Sequence, residues 1–266
     1  MALTNALTGS VMQFTLATVL GDLIAFIHRH TILGLIRPKD LDLFKDKLAA
    51  IRPQPVPPDV SFCEDLDAME TALRLREALG RIFGAVPQFK KYVYVFPGQH
   101  PYAAIYAEKR DPQEYVAQID YAYLKSLTPM SARTLSELSS LIPKVDCTVL
   151  SGEQLGKIQN FLHTNFLRSH PRLISYSELA ILSHPKLSKE EGSKYTRSAA
   201  TAMSKNPVLL LVPCHLVISK PLNDEFRLQL KSNPNAVLKD AGKFRLGSDI
   251  KSYLMYRFGI NVKRPA

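Results

Sequence analysis

No stretch of this chain approaches the ~18 consecutive apolar residues that a membrane span needs. Its first residues, Met1-Ala-Leu-Thr-Asn-Ala-Leu-Thr8, lack the basic start and uninterrupted apolar region of a secretory signal. The expectation is an intracellular protein with no membrane partner. Cysteine is scarce. Cys63, Cys147 and Cys214 are an odd number without metal-type spacing, which argues against a disulfide framework and suits a reducing compartment. His28 and His30 have no cysteine or carboxylate at ligand spacing beside them in the sequence, so no metal site is expected. A length of 266 residues leaves room for about two domains, each able to bury a core unaided.

Charge divides the chain. Residues 1–150 hold 16 Lys plus Arg against 16 Asp plus Glu, whereas residues 151–266 hold 18 against 8, so the whole excess of +10 lies in the second part. Clustered cations gain affinity for polyanions by releasing phosphate counterions, and this separation points to a polyanion-binding half joined to a neutral one.

Between Gln13 and Ile36, β-branched and aromatic residues broken at Gly21-Asp22 and Arg29-His30 read as consecutive antiparallel strands. Four prolines from Pro53 to Pro58 read as a linker or extended connection. Ser61-Phe-Cys-Glu64 has capping-box form and opens a helix carrying Leu66, Met69, Leu73 and Phe83 up to Gly84. Phe89–Phe96 and Tyr102–Ala107 read as strands, and Asp111-Pro112 as the start of a helix bearing Tyr115, Ile119 and Tyr123. The first half is therefore expected to be α+β.

A second capping box, Ser151-Gly-Glu-Gln154, sets the expected domain boundary near 150 and opens a helix with Leu155, Ile158, Phe161, Leu162 and Phe166 on one stripe. Ile174–Ala180, a polar stretch from Ser183 to Ser193, and a helix over Lys194–Lys205 form a helix-turn-helix candidate in the basic half. Then comes Asn206-Pro-Val-Leu-Leu-Leu-Val-Pro-Cys-His-Leu-Val-Ile-Ser219, an apolar run that ends by presenting Cys214 beside His215. A thiol becomes a strong nucleophile on ionising, so a cysteine next to a base is a candidate attacking group; a buried cysteine is also ordinary packing.

Taken in order, Ser175-Tyr-Ser-Glu-Leu-Ala180, Arg197-Ser-Ala-Ala-Thr-Ala-Met-Ser-Lys-Asn-Pro207, Val212-Pro-Cys-His215 and Gly242-Lys-Phe-Arg-Leu-Gly-Ser-Asp-Ile-Lys251 resemble the O6-alkylguanine-DNA alkyltransferases. The spacing of Asn-Pro, six residues, then Cys-His is especially diagnostic, and Leu16 to Leu35 more weakly resembles the family's N-terminal strands. The resemblance implies an α+β protein: a small ribonuclease-H-like domain over 1–150, then a winged-helix-like DNA-binding and alkyl-acceptor domain over 151–266. It implies single-turnover transfer of the alkyl group from O6 of guanine in double-stranded DNA to Cys214, with no cofactor and no metal. A monomer is expected, and the substrate implies nuclear location in a eukaryote and nucleoid or cytoplasm otherwise.

By the same resemblance, His215 acts through a water as base and Asn206 braces the cysteine turn. Arg197 fills the space of an extruded nucleotide, Tyr176 presses on the adjacent phosphate, and Ser198, Ala199 and Ala202 let the recognition helix approach the minor groove. Met203, Val217, Phe244 and Arg245 fall at the base pocket. Extrusion is required because the alkylated oxygen is shielded inside stacked DNA.

The chain also departs from the family pattern. Leu216 stands where an arginine usually follows Cys-His, and Phe258 falls at the place of the glutamate that orients the histidine. Arg245 replaces a small residue, and Lys220–Ala241 replaces a short loop over the alkyl group. Two other functions stay open at the level of sequence: a protein of the same fold that flips the lesion without chemistry, and a helix-turn-helix regulator.

Overall fold

The computed structural model describes residues 11–51, 54–55, 66–89, 119–167 and 172–264. The chain is mixed α+β. The alternating residues near the N-terminus form the expected meander, β1 (Met12–Thr18), β2 (Gly21–His28) and β3 (Thr31–Ile36), with β2 antiparallel to both neighbours. After a 3-10 turn over Pro38–Phe44 come α1 (Lys45–Ile51) and β4 (Gln54–Pro55). The extended connection expected in the proline-rich stretch thus includes a short strand, parallel to β1 at the sheet edge, where proline's missing N–H is tolerated.

Helix α2 (Leu66–Phe83) buries Met69, Ala72, Leu79, Ile82 and Phe83 beneath the meander and stops at Gly84, whose φ of +72° suits a residue without a Cβ. Next follow β5 (Gln88–Phe89), antiparallel to β1, then α3 (Tyr121–Ser126), α4 (Ala132–Leu141) and β6 (Lys144–Val145), which lies parallel to β3. The sheet order is β4-β1-β2-β3-β6, with β5 also against β1. The capping box at Ser61, the strand over Tyr102–Ala107, the helix start at Asp111 and most of the Phe89–Phe96 strand lie outside the described residues. One correction is clear. Ile119 and Tyr123 do not share a helix, because the Asp120 carboxylate accepts from the Tyr123 N–H at 2.9 Å and starts α3 between them.

The second half begins with α5 (Thr148–Ser151) and α6 (Glu153–Leu162), the latter continuing as a π turn through Leu167. The expected capping box at Ser151 is not formed: Ser151 closes α5, and Gly152 at φ 79° is the N-cap of α6. The two helices meet too closely for a side chain at Gly156, where an added Cβ would fall 2.6 Å from the Thr148 nitrogen. Then come β7 (Ile174–Ser175), α7 (Tyr176–Leu182), α8 (Lys189–Ser193), α9 (Thr196–Ser204), β8 (Val217–Ile218) parallel to β7, α10 (Lys220–Ser232) and α11 (Ser248–Arg257).

Both halves contribute to one buried apolar cluster running from Met12 to Val262. Polar ties cross it too. The Leu35 N–H of β3 donates to Pro207 O at 2.7 Å, and the Leu209 N–H donates to Leu35 O at 2.9 Å, so the meander holds the loop that leads to Cys214. Arg257 of α11 donates to Ile82 O at 2.8 Å and Arg81 O at 2.9 Å, the last carbonyls of α2, and also to Thr128 O. A cation there complements the helix dipole. Among the described residues, no helix is long and apolar enough to cross a membrane.

Candidate active site

The loop from Asn206 to Pro213 is built around one side chain. Asn206 is buried; its Oδ1 accepts from the Val208 N–H at 2.9 Å, and its Nδ2 donates to Val212 O at 3.2 Å. Leu210 sits at φ 71°, a left-handed conformation costly for a branched side chain, so this loop is held in its shape by surrounding contacts. The chain then makes a 3-10 turn over Cys214–Leu216, in which the Leu216 N–H donates to Pro213 O at 2.9 Å. That turn carries Cys214 to a nearly closed position, 5% exposed, with the Asn206 amide 3.2 Å from its sulfur.

The two described cysteines have different surroundings. Burial pushes the Cys147 thiol well above the usual range, and the negative charges of Asp146 and ionised Cys214 push it further, with nothing opposing. Burial also raises Cys214, but the Asn206 hydrogen bond, the charges of Arg245 and Lys251 and its own backbone N–H all pull the other way. Burial thus holds both thiols above their ordinary range, Cys147 well above it, but only Cys214 has neighbours that favour its anion.

His215 is fully buried, and neither ring nitrogen has a hydrogen-bond partner. Its ring packs on Phe258 at 4.8 Å between centroids and 44° between planes. Burial first, and the nearby Lys251 charge second, lower its pKa to about 3. Phe258 thus occupies the space beside the imidazole and offers it no charge. Asp224, Glu225, Asp240 and Asp249 make no hydrogen bond to it in its place. An imidazole in this state is a weak base, and the sequence expectation that it accepts the thiol proton lacks structural support. Lys251 is buried as well; its Nζ donates to Val217 O at 2.8 Å, and desolvation lowers its pKa to about 8, against the favourable pull of Cys214 and Asp240.

Helix α11 packs against the Cys214 turn, α7 packs against β8, and α8 and α9 both pack against α7. Ser175 and Glu178 form a reciprocal capping box at the start of α7, which sets Tyr176 at the first helical position. Tyr176 is partly buried against the core, its phenol raised by burial and then by the Cys214 charge, so the two groups are close neighbours electrostatically. In α9, Arg197 is exposed and Ser198 half-buried, but Ala199, Ala202 and Met203 face the interior. The expectation that Ala199 and Ala202 approach DNA is corrected accordingly: both are fully buried, and Gln159 Nε2 reaches the Ala202 carbonyl at 2.6 Å. Small side chains there let α6 and α9 pack closely. The outward face of α9 is instead Arg197, Ala200, Thr201 and Ser204.

The Val217 N–H donates to Cys214 O and its carbonyl accepts from Lys251, which ties the start of β8 to the Cys214 turn and to α11. Phe244 packs against the core beside the half-buried Arg245. The segment after Ser219 begins as a helix. Pro221 in the first turn starts α10, which is pinned to α7 by the Asn223 amide, 2.8 Å from Glu178, and by an Arg227–Glu178 ion pair. A groove of about 480 Å³ opens between α7 and α10, lined in part by Arg172, Leu182, Phe226 and Leu230; the Cys214 motif does not line it.

Among the described residues no group of three or more His, Cys, Asp or Glu is placed to hold a metal ion. No protein-family model matches the chain, and no curated protein sequence matches it significantly.

Proposed function

We propose that the protein repairs DNA by direct, single-turnover transfer of an alkyl group from O6 of guanine to Cys214, as a divergent O6-alkylguanine-DNA alkyltransferase. The observation that carries this reading is the Asn206 amide, which shapes the Val208–Val212 loop and donates to the Cys214 sulfur from the position the motif assigns to it. Its fold would be a ribonuclease-H-like first half and a winged-helix-like second half. The meander β1–β3 backed by α2, and the α7–α8–α9 arrangement beside Cys214, support that finer description.

The reaction follows from the residues. Arg197 and the outward face of α9, in the half that carries the charge excess, engage the duplex through phosphate and minor-groove contacts, which read little sequence. Arg197 enters the stack as the damaged nucleotide leaves it, its planar guanidinium stacking on bases. The Cys214 thiolate then attacks the alkyl carbon: the S–C bond forms, the C–O6 bond breaks, and the electron pair passes to guanine, which takes a proton from water. The resulting thioether has no ready return to thiol, so each molecule acts once.

Incubation with a duplex containing O6-methylguanine, followed by peptide mass analysis, tests this. A methyl group on Cys214 that is absent from Cys214→Ala supports transfer. No methyl group at high protein excess refutes it. The unpartnered imidazole of His215 favours a second reading, lesion binding without chemistry. Tighter binding to lesion than to normal duplex without transfer is its signature.

A further inference from the structure

Helix α10 carries Asn223, Phe226, Arg227 and Leu230 at the spacing of one helical face, and that face forms one wall of the groove of about 480 Å³ beside α7. Another wall is extended chain, Arg172-Leu173-Ile174, running into β7. Strand β7 pairs with β8 on one side, and among the described residues no strand pairs with its other edge. Leu182 and Leu230 line the groove while 42% and 37% exposed, so its apolar surface is open to solvent. A helix face beside an unpaired strand edge, with apolar side chains exposed alongside, is an arrangement that takes an extended peptide as an added strand.

The charges select the kind of peptide. Arg172 and Arg227 line the groove, and Glu178 is the one carboxylate among its described lining residues. That carboxylate is already engaged: Oε2 accepts from the Ser175 N–H at 2.8 Å, the Ser175 hydroxyl at 2.9 Å and the Asn223 amide at 2.8 Å, and Oε1 pairs with Arg227. The groove therefore presents net positive charge to whatever enters it, in the half of the chain that holds the charge excess. Glu178 also fixes the Asn223 amide, since turning it would set oxygen against carboxylate. Asn223 Oδ1 is left buried with no hydrogen-bond partner among the described residues. The wall is one donor short, and a peptide brings N–H groups where an organic acid of similar size does not.

We propose that this groove binds an extended segment of a partner protein in which apolar side chains are flanked by Asp or Glu. The apolar side chains settle on Leu182, Phe226 and Leu230, and the carboxylates meet Arg172 and Arg227. Neither the Cys214 motif nor Arg197 lines the groove, so the bound segment leaves both uncovered. The inference needs no alkyl transfer and stands apart from it.

The probe is a displayed library of random linear peptides of about ten residues, the length of a long strand, selected on the full-length protein. Enriched peptides are synthesised and titrated by fluorescence anisotropy. They are expected to carry apolar residues flanked by Asp or Glu. Replacing Leu182 and Leu230 together by Ser is expected to weaken them at least about tenfold, because both side chains lose their burial against the peptide. Arg172→Ala weakens them by about three- to fivefold, an effect that fades at high salt. Circular dichroism establishes that the variants fold. Failure to enrich any acidic, apolar peptide overturns the proposal, as does affinity that the double substitution leaves unchanged. Should the double variant not fold, an Arg172→Ala affinity equal to that of the unsubstituted protein overturns it. Displacement of the bound peptide by an undamaged DNA duplex would assign the groove to nucleic acid and overturn it as well.

Discussion

Nδ2 of Asn206 stands 3.2 Å from the sulfur of Cys214 and 3.2 Å from the carbonyl of Val212, so a single amide both closes the loop and contacts the thiol. Replacing Asn206 with Ala leaves the Val208 N–H unpaired in the interior, while the Val212 carbonyl keeps the Cys214 N–H at 2.7 Å. The expected loss is about 1–3 kcal/mol of stability by urea denaturation. Asn206→Asp keeps the acceptor for Val208 but sets a carboxylate against the sulfur. It buries a charge without the Nδ2 donor, so it is expected to cost stability and to slow Cys214 alkylation at neutral pH by about tenfold.

His215 makes the fold sensitive to acid. Its folded pKa of about 3 lies below the ordinary 6.5, so between these values the unfolded chain binds a proton that the folded one refuses. The stability attached to this group is present above pH 6.5 and is lost as the pH falls toward 3. His215→Phe, which keeps the contact with Phe258, is expected to flatten that acid limb by on the order of 1.4 kcal/mol per pH unit. Denaturation midpoints measured from pH 7 to pH 4 check this. Curves of unchanged slope would mean that the imidazole is hydrated in solution.

The proposed function gives Arg197 a role in DNA handling that is separate from the chemistry at Cys214. Arg197 is exposed on α9, while Cys214 is buried in the following turn, so Arg197→Ala is expected to leave the folded sulfur environment unaltered. Repair of a duplex substrate should fall by at least about tenfold, and reaction with O6-benzylguanine as a free base should change less than about twofold. Parallel losses in both assays would remove Arg197 from nucleotide extrusion.

Arg257 fastens α11 to two carbonyls at the end of α2 and to Thr128 O in the connection after α3. Truncation to Ala is expected to cost about 3 kcal/mol, because buried carbonyls lose a charged donor. Lysine should recover only part of this, since a point charge cannot span the same three acceptors. Urea midpoints for the two variants provide the comparison.

Much of this architecture is legible in local sequence because its signals are local. The alternation from Gln13 to Ile36 gives the meander, Gly84 ends α2, and Ser175-x-x-Glu178 starts α7. Ser188-x-x-Glu191 carries the same capping signal for α8 but lies in a stretch so polar that no helical stripe accompanies it. Ser151 shows the converse: its Ser-x-x-Gln pattern is that of a cap, yet Gly152 takes the turn because only glycine adopts the required backbone there without strain. The helix α10 is announced by Ser219 and Pro221 at its start.

The site divides in the same way. Asn206, Cys214 and His215 are visible from spacing, since one short loop carries all three. Arg37 and Asp40, which meet Arg245 across the two halves, have no sequence signal, because nothing local distinguishes a buried ion pair from a solvated one. The interior placement of Ala199 and Ala202 is likewise set by tertiary packing, which their small size permits but does not by itself announce.

The proposed reaction has Cys214 take an alkyl group once and keep it. Titrating a fixed amount of protein with duplex bearing a labelled methyl group on O6 of guanine measures this directly. The expected result is protein-bound label that rises to a plateau of no more than one methyl group per molecule, all of it on Cys214, with guanine restored in the DNA. Absence of label on Cys214, or repair continuing beyond one lesion per molecule, would contradict it.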